Sequence, residues 1–219
     1  MAYNLNPAGK KNFLHIAPGI QYGTLLRRKM TSSEKIKIQS HSYGPDLYPV
    51  PVLLVTCEAG GIANIIPICW TGVMCSNPPV VYISVRPERF SYQLISDSKK
   101  FVINIPPGDM LETIDQCGKC SGRDIDKFQK FNLTKKYLLE EYPPVISECR
   151  HHLFCEVLEI RELGTHHAFI SQVKHEMIDD DCIDKNSFLF SKIKPIVYCP
   201  NNYMFISDPV AKFGQFGKK

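Results

Sequence analysis

The stretch Asn77–Pro106, NPPVVYISVRPERFSYQLISDSKKFVINIP, sets two strand-like runs, VVYISV and FVINIP, around a short segment that opens with two arginines and a serine. The first run predicts a strand over Val80–Val85. A short helix follows, with Ser91 placed to cap it and Phe90, Leu94 and Ile95 along its apolar side. Ser84, Arg86, Arg89 and Ser91 thus fall at a strand end and a helix start. Unpaired backbone N–H groups and the positive end of a helix dipole favour an anion there. A phosphate suits the place, and so do plain surface arginines beside an ordinary serine cap.

Upstream, VPVLLVTC reads as a strand from Val50, EAGG as a hairpin turn, and IANIIPICW as a second strand with Pro67 at an edge or bulge position. This second run carries the amide of Asn64, the aliphatic Ile66 and the single tryptophan, Trp70, followed by the hydroxyl of Thr71. Such residues make a wall for a flat ring, although a lone tryptophan in a strand also serves as simple core. Downstream, GDMLETIDQCGKCSGRDIDKFQKFN is helical at both ends with a Gly and Ser loop between. HLFCEVLEIREL and HAFISQVKHEMID are long strands separated by GTHH, and KPIVYCPNNYMFIS adds a last strand. Strands dominate, β-α-β alternation is missing, and neither GxGxxG nor GxxxxGK[ST] occurs, which removes the dinucleotide and P-loop folds. The expected class is mainly β, a closed β-barrel with a few peripheral helices.

The chain has 219 residues and 44% hydrophobic content, enough for a substantial core. The first 40 residues lack periodicity beyond one short strand at their end and are expected to form an N-terminal extension, with 41–219 as the folded domain. Residues 1–40 hold seven Lys/Arg against one Glu, so the overall charge of +4 leaves −2 for the remainder. The body is therefore not a basic nucleic-acid binder. The uncharged run 59–85 is broken by Gly60, Gly61, Asn64, Pro67 and Asn77–Pro79, so it is not a membrane span. No leader of signal-peptide form is seen, and nine irregularly spaced cysteines fit a reducing cytoplasm better than a disulfide scaffold.

In order along the chain, PVPVLLVT, ANIIPICWTG, the opening stretch, SGRDIDKF, GTHHAFISQV and KPIVY resemble the flavoredoxin and flavin-reductase-like proteins from about Tyr48 to Gly217. The resemblance implies an FMN-binding split β-barrel that works as a homodimer. It places Arg86, Arg89 and Ser91 on the FMN phosphate, near Ser84. Around the flavin ring or ribityl chain it places Asn64, Ile66, Trp70, Thr71 and Lys127, with Phe128 close by. His166 takes the catalytic place beside the electron donor. On local sequence alone, Lys127 reads by default as a solvated helix lysine, and the THH of His166 as a polar turn between strands. Thr165 stands where the family has Asp, so His166 is expected to lack a partner that orients it. The implied function is an oxidoreductase passing electrons from NAD(P)H or a small redox protein to an acceptor through bound FMN. An FMN-binding electron carrier without NAD(P)H activity and a non-catalytic flavin-binding module are the alternatives.

One motif lies outside that scheme. Cys117 and Cys120 form CGKC, but no second CxxC completes a zinc or iron site, so no metal is expected. The pair reads as ordinary loop cysteines or as a redox-active dithiol.

Overall fold

The computed structural model describes residues 3–5, 11–13, 47–184, 187–206, 209–211 and 215. The chain forms two compact units, Met1–Pro45 and Asp46–Lys219. In the first, Tyr3–Leu5 pairs antiparallel with Lys11–Phe13. The short strand expected near residue 40 lies outside the described residues.

The second unit is built on seven antiparallel strands: β1 (Leu53–Ala59), β2 (Ile62–Ile68), β3 (Thr71–Ser76), β4 (Pro79–Val85), β5 (Lys100–Asn104), β6 (His151–Glu162) and β7 (His167–Ile178). Their spatial order is β2-β1-β5-β6-β7-β4-β3. β2 and β3 are therefore opposite edges of one sheet, yet only Cys69 and Trp70 separate them in sequence. Three Cα–Cα steps reach at most about 11 Å, whereas the edges of a flat seven-stranded sheet stand roughly 29 Å apart. The sheet must roll until its edges meet. The Ser84 N–H donates to the Trp70 carbonyl at 2.8 Å, which carries the β3–β4 ladder one residue into the link between the two edges. This is a split β-barrel, with the split beside Trp70.

Its interior is one cluster holding Val55, Cys57, Ile83, Val85, Phe101, Ile103, Cys155 and Phe169, joined by Leu94 and Ile95 of helix α1 (Phe90–Ser98). The other face of β1 is buried too. Val52 and Leu54 pack with Ile65, with Ile114 and Cys117 of helix α2 (Leu111–Lys119), with Phe128 of the short helix α3 (Lys127–Lys130), and with Ile196. A strand covered on both faces reads as an unbroken apolar run, which is why VPVLLVTC lacks alternation.

The hairpin turn at EAGG is a two-residue loop, with Gly60 and Gly61 at φ +59° and +76° and Ala59 opposite Ile62. That left-handed pair matches the twist of the flanking strands. Pro67 lies on β2, an edge of the sheet, as a residue without an N–H requires. Three boundaries differ from expectation. Val50–Pro51 leaves the barrel to pair with Val197 and Tyr198, since Pro51 has no donor for a continuous ladder. TGVMCS forms the separate strand β3, whose last four residues are exposed and so carry no burial pattern to announce it. KPIVYCPNNYMFIS is a hairpin, Ile196–Cys199 against Asn202–Phe205, turned by Asn201 at φ +64°.

A buried polar hub ties the barrel to its outer loops. Asn104 Nδ2 donates to the Leu54 carbonyl at 3.0 Å and to Thr56 Oγ1 at 3.2 Å. Its Oδ1 accepts from the Ile146 N–H at 3.1 Å and from His152 Nδ1 at 2.9 Å. Among the described residues no helix is long and apolar enough to cross a membrane.

Candidate functional site

A cleft of about 500 Å³ opens at the split. β2 contributes Asn64 and Ile66, the β2–β3 link Trp70, the end of β4 Ser84, and the following turn Arg86 and Arg89. Ser91 from α1, Lys127 from α3 and His166 from the β6–β7 turn complete the set. Nine of the eleven residues expected at the site thus meet in one cleft, although they are spread over about 100 positions of the chain.

Two do not. The Thr71 hydroxyl donates to the Tyr82 carbonyl at 2.6 Å, which turns it into the β3–β4 pairing and out of the cleft. Phe128 is buried in the core beneath α2, with Lys135 Nζ 5.0 Å from its ring centre. It follows Lys127 directly, and neighbouring helix residues face different ways.

Ser91 does not cap its helix. Arg89 occupies the N-cap position, and no side chain caps the first turn of α1. The buried Ser91 hydroxyl instead accepts from Asn64 Nδ2 at 2.9 Å, joining α1 to β2. The backbone N–H groups at the start of α1 therefore lie beside Arg86 and Arg89 without side-chain competition, the arrangement that receives a phosphate. Arg86 also lies 3.7 Å from Glu88. Arg123 donates to the Glu88 carbonyl at 3.1 Å and covers the Phe90 ring at 5.5 Å, closing the rim.

Lys127 is not a solvated lysine. Asp126 caps α3 by accepting from the N–H groups of Phe128 and Gln129, and this aims Lys127 inward. Its Nζ donates to the carbonyls of Ile65 and Cys117, each at 2.9 Å, and the residue is only 4% exposed. Burial holds its pKa below the ordinary lysine range, against the pull of the neighbouring thiols of Cys117, Cys120 and Cys57.

His166 stacks on Trp70 with ring centroids 4.6 Å apart and planes tilted by 36°. Its Nδ1 lies 3.0 Å from Thr165 Oγ1. Thr165 therefore does supply a partner, contrary to expectation: the hydroxyl fixes the ring's orientation, although it can donate or accept and so leaves the tautomer open. Burial lowers the His166 pKa, helped by Arg86 and Arg89, with Glu88 opposing.

Gly122, Cys117 and Cys120 also line the cleft and had no assigned place in it. A Cβ on Gly122 would stand 2.2 Å from Asn64 Oδ1. The glycine of SGRD is thus required by close approach, a signal that only the folded neighbour makes visible.

The cleft brings together two arginines, a helix start, a tryptophan, an aliphatic side chain, a buried amide and a buried ammonium. That donor set suits a planar heterocycle carrying a phosphate ester. Residues 46–207 match the model of the flavin reductase like domain family. An uncharacterized protein of Archaeoglobus fulgidus is 26% identical over 171 residues, covering 77% of this chain and 87% of that protein. Among solved structures, the flavoredoxin of Methanosarcina acetivorans is similar at a TM-score of 0.75 and 26% identity, covering 85% of this chain and 98% of that one. The FMN-binding protein of Thermus thermophilus shares the fold at a TM-score of 0.69 and 20% identity, covering 81% and 98%.

Proposed function

The chain belongs to the flavin reductase like domain family, and from that premise we propose that it is an FMN-dependent oxidoreductase of the flavoredoxin type, taking electrons from NAD(P)H or a small redox protein. The observation that carries this is the convergence of Arg86, Arg89 and the uncapped start of α1 with Ile66, Trp70, Asn64 and Lys127 on one cleft. Arg86 and Arg89 would hold the phosphate. Ile66 and Trp70 would bound the ring, and the amide of Asn64, steadied by Ser91, would face its polar edge. The cofactor supplies the hydride and electron chemistry when bound. Lys127 would lend a positive charge to a reduced flavin bound in the cleft, and the buried setting would strengthen that interaction. His166, packed at a tilt against Trp70 and with its pKa lowered by burial and the arginines, would orient an incoming donor.

We further propose a homodimer. It is supported by the family, and by β3, an edge strand that leaves Val73 79% and Met74 55% exposed and so calls for cover. Light scattering at micromolar concentration tests it, and a monomer there would refute it.

The central test is the absorption spectrum of the purified protein, before and after anaerobic addition of NADPH or NADH. A yellow protein with one FMN per chain that bleaches on addition is expected. A colourless protein that ignores added FMN would end the proposal. A yellow protein that bleaches only with a reduced redox protein would make that protein the donor.

A further inference from the structure

Two cysteines in the cleft are not used by the chemistry above. Cys117 lies in the last turn of α2 and Cys120 is the residue that ends the helix. Helix geometry puts Cα atoms three residues apart at roughly 5 Å, within the range of about 4.4–6.8 Å that a disulfide spans. Both residues border the cleft, the Cys117 side chain buried in the core beneath it and Cys120 half-buried. One sulfur is thus within reach of a small molecule and the other is shielded behind it. Among the described residues no group of three or more His, Cys, Asp or Glu stands together to hold a metal, so the chemistry left to the pair is that of two sulfurs. The carbonyl end of a helix disfavours a thiolate. Burial also pushes the Cys117 thiol up, and Lys127 opposes that rise. The ammonium of Lys127 is bonded to the Cys117 carbonyl at 2.9 Å, so the charge that serves the flavin also sits beside the thiols.

We propose that Cys117 and Cys120 form a redox-active dithiol that exchanges an electron pair with the flavin of the same cleft and delivers it to a small disulfide. This rests on the flavin assignment above. In its oxidised form the Cys117–Cys120 disulfide takes two electrons and two protons from the reduced flavin: the S–S bond breaks, two S–H bonds form, and the flavin returns to its oxidised state. The Cys120 thiolate then attacks the incoming disulfide, expelling one thiol and forming a mixed disulfide. Cys117 attacks Cys120 sulfur, which releases the second thiol and closes the internal bridge. A small disulfide is the fitting acceptor because Cys120 lies within the cleft, not on an outer face open to a protein.

The test uses the whole protein with its FMN. After treatment with oxidised glutathione, alkylation and digestion, the expected product is a peptide linking Cys117 to Cys120, missing from Cys120→Ser. Anaerobic titration with dithionite should then consume twice as many electrons per chain in the oxidised wild type as in Cys120→Ser or Cys117→Ala. Absence of the linked peptide, or equal electron uptake in wild type and variants, overturns the proposal. A yellow protein without the link overturns the dithiol alone. A colourless protein that still forms the link overturns the flavin assignment, and the electron exchange with it.

Discussion

Replacing Gly122 by Ala tests whether the Asn64–Ser91 pair is held in place by close packing against the SGRD loop. The added Cβ would stand 2.2 Å from Asn64 Oδ1, 2.5 Å from Cγ and 2.8 Å from Nδ2. None of these distances is tolerable, so the amide must move. Asn64 is 3% exposed and Ser91 1%, so the groups joined by their 2.9 Å hydrogen bond are almost wholly removed from solvent. Leaving buried polar groups unpaired costs about 1–3 kcal/mol. Against this, alanine restricts the unfolded chain, which stabilises by about 0.4–1 kcal/mol. A net loss of about 1–2 kcal/mol is expected, with Tm falling by roughly 2–8 °C for a domain of this size. Urea and thermal unfolding of the flavin-free protein measure it, and FMN fluorescence titration measures the accompanying loss of affinity. The decisive comparison is made in Asn64→Ala, which lacks all three clashing atoms. There Gly122→Ala should be within about 0.5 kcal/mol of neutral. An equal cost in both backgrounds would refute the steric account and point to the loop backbone instead.

Arg86→Ala and Arg89→Ala should each weaken FMN binding by about 5- to 150-fold, the loss of a charge-assisted contact of about 1–3 kcal/mol, and the effect should shrink with added salt; an unchanged Kd in fluorescence titration at low salt would remove the phosphate from this turn. His166→Ala should keep its FMN while anaerobic stopped-flow reduction by NAD(P)H slows, and an unaltered rate would show that the imidazole does not meet the donor. His152 supplies a pH prediction, because burial and the neighbouring His151 lower its pKa to about 4. The fold favours the neutral ring, so the stability it contributes is complete above the unfolded value of about 6.5 and is lost as pH falls towards 4, amounting to about 3 kcal/mol. His152→Gln should flatten unfolding free energy across that window, and a wild-type profile already flat there would contradict the burial of a neutral imidazole.

How much of this was visible in the sequence depends on what each residue answers to. Gly60–Gly61 and Pro67 declare themselves because backbone rules act within a few residues: two positive φ angles make the hairpin, and a missing N–H seeks an edge. The gathering of Arg86 and Arg89 beside a helix start was readable for the same reason, since a strand end and a helix start were both local. The helix cap was misassigned because the serine's partner, Asn64, is 27 residues away in sequence. β3 was missed because its outer residues are exposed, and burial is what makes a strand audible in a sequence. Thr71 and Phe128 carried the right chemistry for the cleft but point elsewhere, a matter of register that composition does not encode.

Lys127 is the instructive case, because its sequence neighbourhood, RDIDKFQK, is that of a surface helix and its structure is the reverse. A buried ammonium is expensive unless its donors are met and its charge is answered. Two of its three donors reach the carbonyls of Ile65 and Cys117, which satisfy hydrogen bonding yet bring no net charge. The depressed pKa records what is left unanswered. The nearby groups able to carry negative charge are thiols, and burial raises the pKa of both Cys57 and Cys117, so they remain neutral. A lysine fixed by an Asp126 cap, bonded through two of its donors and uncompensated in its charge would, on the proposed function, serve an anion that comes and goes. A flavin cycling between neutral and anionic forms is such a partner, and so is a thiolate formed in passing at Cys120. Both would draw on the same charge, which ties the cofactor's chemistry to that of the cysteine pair beside it.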